Sequence, residues 1–332
     1  MTTTGPGTRR ALLDAIAGVA ATGQRFLVTA HVKPDGDSIG SQLALALALR
    51  ACGKDVRIVN RDSAPPPLQA FPGVADIECR PEVDGDFDAV FVLECGDLER
   101  TGLAGLERFV LVNIDHHPGN TSFGAVNWFD GAAAACGEMV FDVIGRLGVP
   151  LSVEIATHLY VAILTDTGSF HYSSLSPRTF DICRQLLEAG VDPVAVARTV
   201  YDSNTVGRLR LFGTVMNTLE VDRTGRRAVI RLDREMARAS GGEPDDAEGL
   251  INLPLTVPEI QAVAFFREAD NGQLRVGFRS KVAIDVGAVA GSLGGGGHRN
   301  AAGCTVTGTL DEVRDRILPL LDAAIERGLR NR

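Results

Sequence analysis

In the first half of the chain, apolar runs of strand length alternate with helical patterns, and this rhythm limits the fold more than any other feature of the sequence. "RFLVTA" (25–30) reads as a strand and "DSIGSQLALALALRACG" (37–53) as a helix that Ser38 could cap and Gly53 could end. "DVRIVN" (55–60) is a second strand, and after the proline-rich connection "APPPLQAFPG" (64–73) come "DAVFVL" (88–93) and "RFVLVNI" (108–114). Helical patterns lie at 8–22, 133–147, 152–164 and 177–189, the last ending at Gly190. The expected fold class is α/β, with an N-terminal, mostly parallel sheet flanked by helices. From about 190 the pattern turns to a helical linker and then to the amphipathic strands "RAVIRL" (227–232), "IQAVAFFRE" (260–268) and "QLRVGFRS" (273–280). This predicts a first domain over 1–190, a linker over 191–218, and a smaller mixed α/β domain over 219–332.

A chain of 332 residues that is 45% hydrophobic and 23% charged can bury two cores. No apolar stretch approaches the roughly 20 residues that span a bilayer, and the opening "MTTTGPGTRR" lacks an apolar signal region, so the expected location is the cytoplasm. The six cysteines (52, 79, 95, 136, 183 and 304) are scattered and form no Cys-x-x-Cys pair, which argues against a zinc ribbon or a disulfide framework. A net charge of −9 argues against tight binding of long nucleic acid, whose affinity comes from many neutralised phosphates. It leaves room for a short phosphorylated ligand at a metal-rich site.

In an open parallel sheet, ligands bind at the carboxyl ends of the strands. Here each apolar run ends on acids or histidines. "FLVTA" leads to His31, Asp35 and Asp37; "AVFVL" leads to Glu94 and Asp97; "VLVNI" leads to Asp115, His116 and His117; the helix "EIATHLYVAILT" delivers Asp166. So many acids on one edge repel each other unless cations neutralise them. Mixed imidazole and carboxylate ligands favour manganese or a similar divalent ion, and the number of ligands favours two ions sharing a bridging carboxylate. Two such ions suit displacement at phosphorus, which makes phosphate ester hydrolysis the expected reaction class. Taken singly, each residue has a plainer reading. Asp37 could be a cap or first-turn acid, Asp166 part of a turn, Pro34 and Gly36 loop punctuation, and His158 and His171 packing or surface groups.

At these residues the chain resembles the DHH phosphoesterases, named for the triplet present here as Asp115-His116-His117. "HVKPDGDSIGS", "IDHHPGN" and "LTDTGSF" follow the family's order and spacing. In the second half "EGLINLP" (248–254), "FRSK" (278–281) and "DVGAVAGSLGGGGHRNAAG" (285–303) look like the associated DHHA1 domain. The resemblance is strongest to the family's bifunctional oligoribonuclease and 3′-phosphoadenosine 5′-phosphate phosphatase group. It implies that His31 and Asp35 hold one Mn2+ and that Asp37, His116 and Asp166 mainly hold the other, with Mg2+ or Co2+ as substitutes. Asp115 is then a supporting acid and His117 a group near the scissile phosphate. Where the family usually has Asp after the third-strand run, this chain has Glu94, whose matching position and longer side chain suit it to the bridging role; Asp97, three residues on, is the alternative.

Gly294 to Gly297 permit close backbone approach and positive φ, so the N–H groups of Gly295, Gly296 and Gly297 could surround phosphate oxygens with His298 as a further donor. Arg279 suits a bidentate phosphate contact, with Ser280 beside it. The expected substrates are short RNA oligonucleotides, linear dinucleotides and 3′-phosphoadenosine 5′-phosphate, with no long nucleic acid and no membrane as partners and a homodimer left open. A pyrophosphatase, a cyclic-dinucleotide phosphodiesterase and an inactive nucleotide sensor are the alternatives. An oxidoreductase fits poorly, because the glycine run lacks Gly-x-Gly-x-x-Gly spacing and lies far from the first strand-to-helix turn.

Overall fold

The structure, a computed structural model, describes residues 6–171, 175–242, 244–247, 249–269, 272–281 and 283–330, of which 6, 244, 245 and 298 are described without side chains. Glu248 of "EGLINLP" and the side chain of His298 therefore lie outside the described residues. The chain divides into two compact units, Met1–Ser203 and Asn204–Arg332.

The first unit holds a six-stranded sheet of β1 (Arg25–Thr29), β2 (Asp55–Asn60), β3 (Glu78–Cys79), β4 (Ala89–Leu93), β5 (Leu111–Asp115) and β6 (Val126–Phe129). All the pairings are parallel, in the order β3-β2-β1-β4-β5-β6. The order reverses between β1 and β4, and at such a switch point the connections leave in opposite directions and open a crevice at the strand ends. The main core, on one face, joins Phe26, Phe91, Ile114 and Trp128 to helices α1 (Pro6–Thr22), α2 (Gly36–Ala51), α3 (Cys136–Leu147), α4 (Val153–Asp166) and α5 (Pro177–Glu188). A smaller cluster, including Leu27, Val90, Val92 and Leu106, covers the other face.

The expected strand over 108–114 lies three residues later at its start. Val110 is 47% exposed, and the Phe109 N–H turns back to the Leu106 carbonyl, so pairing begins at Leu111 and runs into Asp115. The cap of α2 also differs from expectation. Asp35 is the N-cap, accepting from the Ser38 N–H, while the Ser38 hydroxyl accepts from the Asp35 N–H; Ser38 is thus the third residue of a capping box.

The stretch expected as a linker is two helices. α6 (Pro193–Tyr201) gives Val196 to the first core, and α7 (Val206–Met216) gives Leu211 and Val215 to a core of the second unit. That unit is a mixed sheet of β7 (Glu220–Val221), β8 (Arg227–Leu232), β9 (Ala262–Glu268), β10 (Gln273–Ser280), β11 (Gly296–His298) and β12 (Ala301–Thr307), in the order β11-β12-β10-β9-β8-β7. Only β8 and β9 pair in parallel among these described strands. α9 (Val286–Ser292) and α10 (Leu310–Arg330) cover one face of it; α7 and α8 (Arg234–Ser240) pack on the other. All six cysteines are free thiols, and among the described residues no helix is long and apolar enough to cross a membrane.

Candidate metal centre

The strand-end acids and histidines of the first unit meet around His116, just past β5. Its Nε2 lies 3.0 Å from Glu94 Oε1, 3.4 Å from Asp166 Oδ2 and 3.8 Å from Asp37 Oδ2. Its Nδ1 is 3.1 Å from the Ala133 carbonyl, which fixes that nitrogen as the donor and leaves Nε2 to face the acids. Glu94 turns its other oxygen to His117, with Oε2 3.2 Å from Nδ1. The ligand atoms of Glu94, His116 and His117, and those of Asp37, His116 and Asp166, each form a group within 4.8 Å. His31 and Asp35 make a neighbouring pair at 3.7 Å, and the His31 Nδ1–H is occupied by the Val32 carbonyl at 2.8 Å.

Each side chain is held by identifiable local structure. Glu94 has φ +59, a left-handed conformation that costs a non-glycine residue on the order of 1–3 kcal/mol and turns its carboxylate out of the line of β4. Asp37 is in the first turn of α2, yet its carboxylate serves a different helix, α3. Oδ2 accepts from the Cys136 N–H at 2.6 Å, and Oδ1 accepts from the Gly137 N–H at 3.0 Å and the Ser41 hydroxyl at 2.9 Å. These contacts satisfy open N–H groups at the positive end of α3 and bury Asp37 to 1% exposure. Asp166 is the last residue of α4.

Close helix packing brings Asp37 and Asp166 together. A Cβ at Gly36 would stand 2.3 Å from Thr165 Oγ1, and one at Gly40 would stand 2.4 Å from the His158 carbonyl oxygen, so two glycines four apart let α2 lie against α4. Gly36 is thus a contact residue and not loop punctuation. His158 is a core group, as its plainer reading held, with 1% exposure.

Asp115 is fully buried. Oδ1 accepts from the His117 Nδ1–H at 2.9 Å and Oδ2 from Asn120 Nδ2 at 2.6 Å, and Asn120 also donates to Asn113 Oδ1 at 2.8 Å. Burial opposes ionisation of Asp115, but the bonds from His117 and Asn120 outweigh it and lower its pKa. Asp97 makes a separate contact, its Oδ1 accepting from the Arg100 N–H at 2.9 Å; Glu94 is the acid inside the cluster.

The electrostatics of the cluster are those of a cation site. Burial first, and then the nearby Glu94 charge, push Asp37 well above the usual carboxylate range. Burial and the Asp37 charge push Asp166 up to about 7. Burial works against a charged His116, yet the contacts with Glu94, Asp37 and Asp166 raise it to about 11. Glu94 Oε1 and His116 Nε2 are both buried with no hydrogen-bond partner, an arrangement that costs free energy until a positive charge satisfies it. The donor set therefore fits divalent metal.

In the second unit the glycine segment is built into the sheet. Gly296–His298 is β11, paired antiparallel with β12. A Cβ at Gly295 would lie 2.2 Å from the Gly303 carbonyl oxygen, and one at Gly297 would lie 2.5 Å from Ala302 Cα, so strand packing itself requires these glycines. Gly294 and Gly297 have φ of +77 and +138. The Ser280 hydroxyl donates to the Ile284 carbonyl at 2.8 Å and accepts from Asn300 Nδ2 at 2.9 Å; its one proton is committed to the turn beside Arg279.

The chain is similar to known proteins over most of its length. The DHH family N-terminal domain matches residues 25–163, and the DHHA1 domain matches residues 233–327. Over 311 residues the chain is 32% identical to the bifunctional oligoribonuclease and PAP phosphatase NrnA of Thermus thermophilus, covering 93% of this chain and 92% of that protein. The protein of the same name from Bacillus subtilis is 27% identical over 300 residues, covering 88% and 92%. A solved structure of an exopolyphosphatase-related protein from Bacteroides fragilis matches with a TM-score of 0.87 at 27% identity, covering 95% of this chain and 96% of that one. The chain belongs to the DHH family of phosphoesterases and carries a DHHA1 domain.

Proposed function

We propose that the protein hydrolyses short oligoribonucleotides and linear dinucleotides of the pApA type to 5′-mononucleotides, and 3′-phosphoadenosine 5′-phosphate to AMP and phosphate. The observation that carries the metal-dependent chemistry is the unpartnered, buried pair of Glu94 Oε1 and His116 Nε2 inside a cluster of acids. The names of the relatives support the choice of substrates.

His31, Asp35, Asp37, Glu94, His116 and Asp166 would hold two Mn2+ ions, with Mg2+ or Co2+ as substitutes and Glu94 as the shared carboxylate. Bound divalent ions supply charge neutralisation at phosphorus and a water of lowered pKa. Asp115 fixes Nδ1 of His117 as a donor, so that the other ring nitrogen, Nε2, is the one that carries a proton to the departing sugar oxygen. Arg279, with the backbone N–H groups of Gly296 and Gly297 and with His298 as a further donor, takes a phosphate of the substrate, while Ser280 supports the turn that carries Arg279; the Gly295 N–H, expected to join them, instead donates to the Ala290 carbonyl at 2.9 Å. Most binding energy is then local, as suits a cytoplasmic enzyme of net charge −9 that acts on short ligands and not on long nucleic acid, whether as a monomer or a homodimer.

The test is incubation of purified protein and Mn2+ with 5′-phosphorylated diadenylate or 3′-phosphoadenosine 5′-phosphate, followed by chromatography. Adenosine monophosphate from both substrates is the expected result. No product from either, with manganese bound, would contradict the proposal.

A further inference from the structure

Three arginines share one face of the second sheet. Arg275 and Arg279 project from β10, and Arg267 on β9 is in register directly opposite Arg275. The alternate β10 residues Leu274, Val276 and Phe278 point into the core under α9 and α10, so the arginines lie on the other side. There they line a groove of ≈ 470 Å³ with Gly277, Gly295 and Gly303. Gly277 is the register partner of Gly303, so the two strands put no side chain of their own on the floor between them, and Ile251 Cδ1 borders its Gly277 end.

Like charges directly opposite each other on a sheet are destabilising. Among the described residues neither Arg267 nor Arg275 has an ion-pair partner to offset this. The Arg267 guanidinium lies over the Phe265 ring at 5.4 Å, and its Nε is buried with no hydrogen-bond partner, so it is not simply released into water. In a chain of net charge −9, a pair of unneutralised guanidinium groups over a glycine floor is a site for an anion.

We propose that Arg267 and Arg275 form a second phosphate subsite, which holds an internucleotide phosphate of an oligonucleotide whose other phosphate is taken by Arg279. This rests on the oligonucleotide reading of the protein and adds a length preference to it. Arg275 and Arg279 are four positions apart on β10, a span of about 13 Å. Longer oligonucleotides reach both positions, whereas a single nucleotide engages one.

The experiment compares the wild type with Arg275→Ala and Arg275→Glu; Arg275 is exposed, so its replacement leaves the core intact. Binding of fluorescently labelled, 5′-phosphorylated oligoadenylates of two and of five nucleotides is followed by anisotropy with metal chelated, at two salt concentrations. Hydrolysis of the five-mer and of 3′-phosphoadenosine 5′-phosphate is measured separately with Mn2+. The wild type should bind the longer ligand more tightly. Arg275→Glu should remove that increment, about tenfold, and lower the salt slope by about one counterion. In the hydrolysis assay the KM ratio of five-mer to bisphosphate should rise by a similar factor. Equal binding of both lengths by wild type and variants would overturn the subsite, as would a groove whose oligonucleotide affinity ignores Arg275. Absence of hydrolysis by the wild type alone would instead count against the proposed function, because the binding arm does not depend on turnover.

Discussion

Glu94 Oε1 and His116 Nε2 stand 3.0 Å apart, both buried and neither in a hydrogen bond. With Nδ1 of His116 committed to the Ala133 carbonyl, a neutral ring points a lone pair at a carboxylate. The contact is favourable only when a positive charge is present: a proton in the metal-free protein, which is why His116 is raised to about 11, or a cation at the carboxylates. The remaining acids add to that demand.

Asp37 has two separable duties, to present negative charge to the cluster and to cap α3. Asp37→Asn keeps an oxygen for one of the two N–H groups of α3, sets its amide nitrogen against the other, and removes the charge; Asp37→Ala removes both oxygens and the charge. Both variants should lose at least about 100-fold in turnover, and the alanine variant should lose about 1 kcal/mol more stability in urea than the asparagine variant. Equal destabilisation of both would mean that the cap is not what the carboxylate provides.

Gly40 and Gly145 make a contrasting pair. A methyl at Gly40 would stand 2.4 Å from the His158 carbonyl oxygen, while one at Gly145 meets nothing within 4 Å. Gly40→Ala should cost roughly 1–3 kcal/mol and weaken manganese binding, because it parts the helices that carry Asp37 and Asp166. Gly145→Ala should be neutral or stabilising by up to about 1 kcal/mol. Urea midpoints and manganese titrations of the two variants check both statements.

Asn120 holds Asp115 from the side opposite His117. Asn120→Ala should leave the buried carboxylate one donor short and loosen the imidazole it orients, with a loss in kcat of about 10- to 100-fold. KM should change far less. A KM effect with intact kcat would assign Asn120 to substrate binding instead.

Burial lowers the His158 pKa to about 4 from the ordinary 6.5. As pH falls from about 6.5 toward 4, the unfolded chain takes up a proton that the folded one resists, so stability is lost across that window. At its acid end the loss is about 3 kcal/mol. Other groups titrate there too, so the test is a difference. His158→Leu should lose less stability than wild type between pH 7 and pH 4.5, and parallel losses would refute the assignment.

The strand ends were legible in the sequence because burial and charge conflict there. An apolar run that stops on Asp115-His116-His117 marks both a strand and the place where it meets a ligand, and the same holds for Glu94. What could not be read were contacts set by tertiary approach. Asp37 reaches α3 across 99 residues, and the Gly36 and Gly40 contacts depend on the particular crossing of α2 and α4. The four-residue spacing of those glycines was the available signal for that crossing. The glycine segment at 294–297 carried two compatible demands, close strand packing and ligand approach, and composition alone does not separate them. Small residues in "AAGCTVT" and Pro319 within the helix blur the periods of β12 and α10.

On the proposed function, the cluster around His116 holds two metal ions. The most direct measurement is titration of the metal-free protein with Mn2+, followed by electron paramagnetic resonance, with His116→Ala in parallel. Two ions per chain with a spin-coupled signal in the wild type, and loss of that signal in the variant, is the expected result. A wild type that binds no manganese, or binds isolated ions indifferent to His116, would contradict the account.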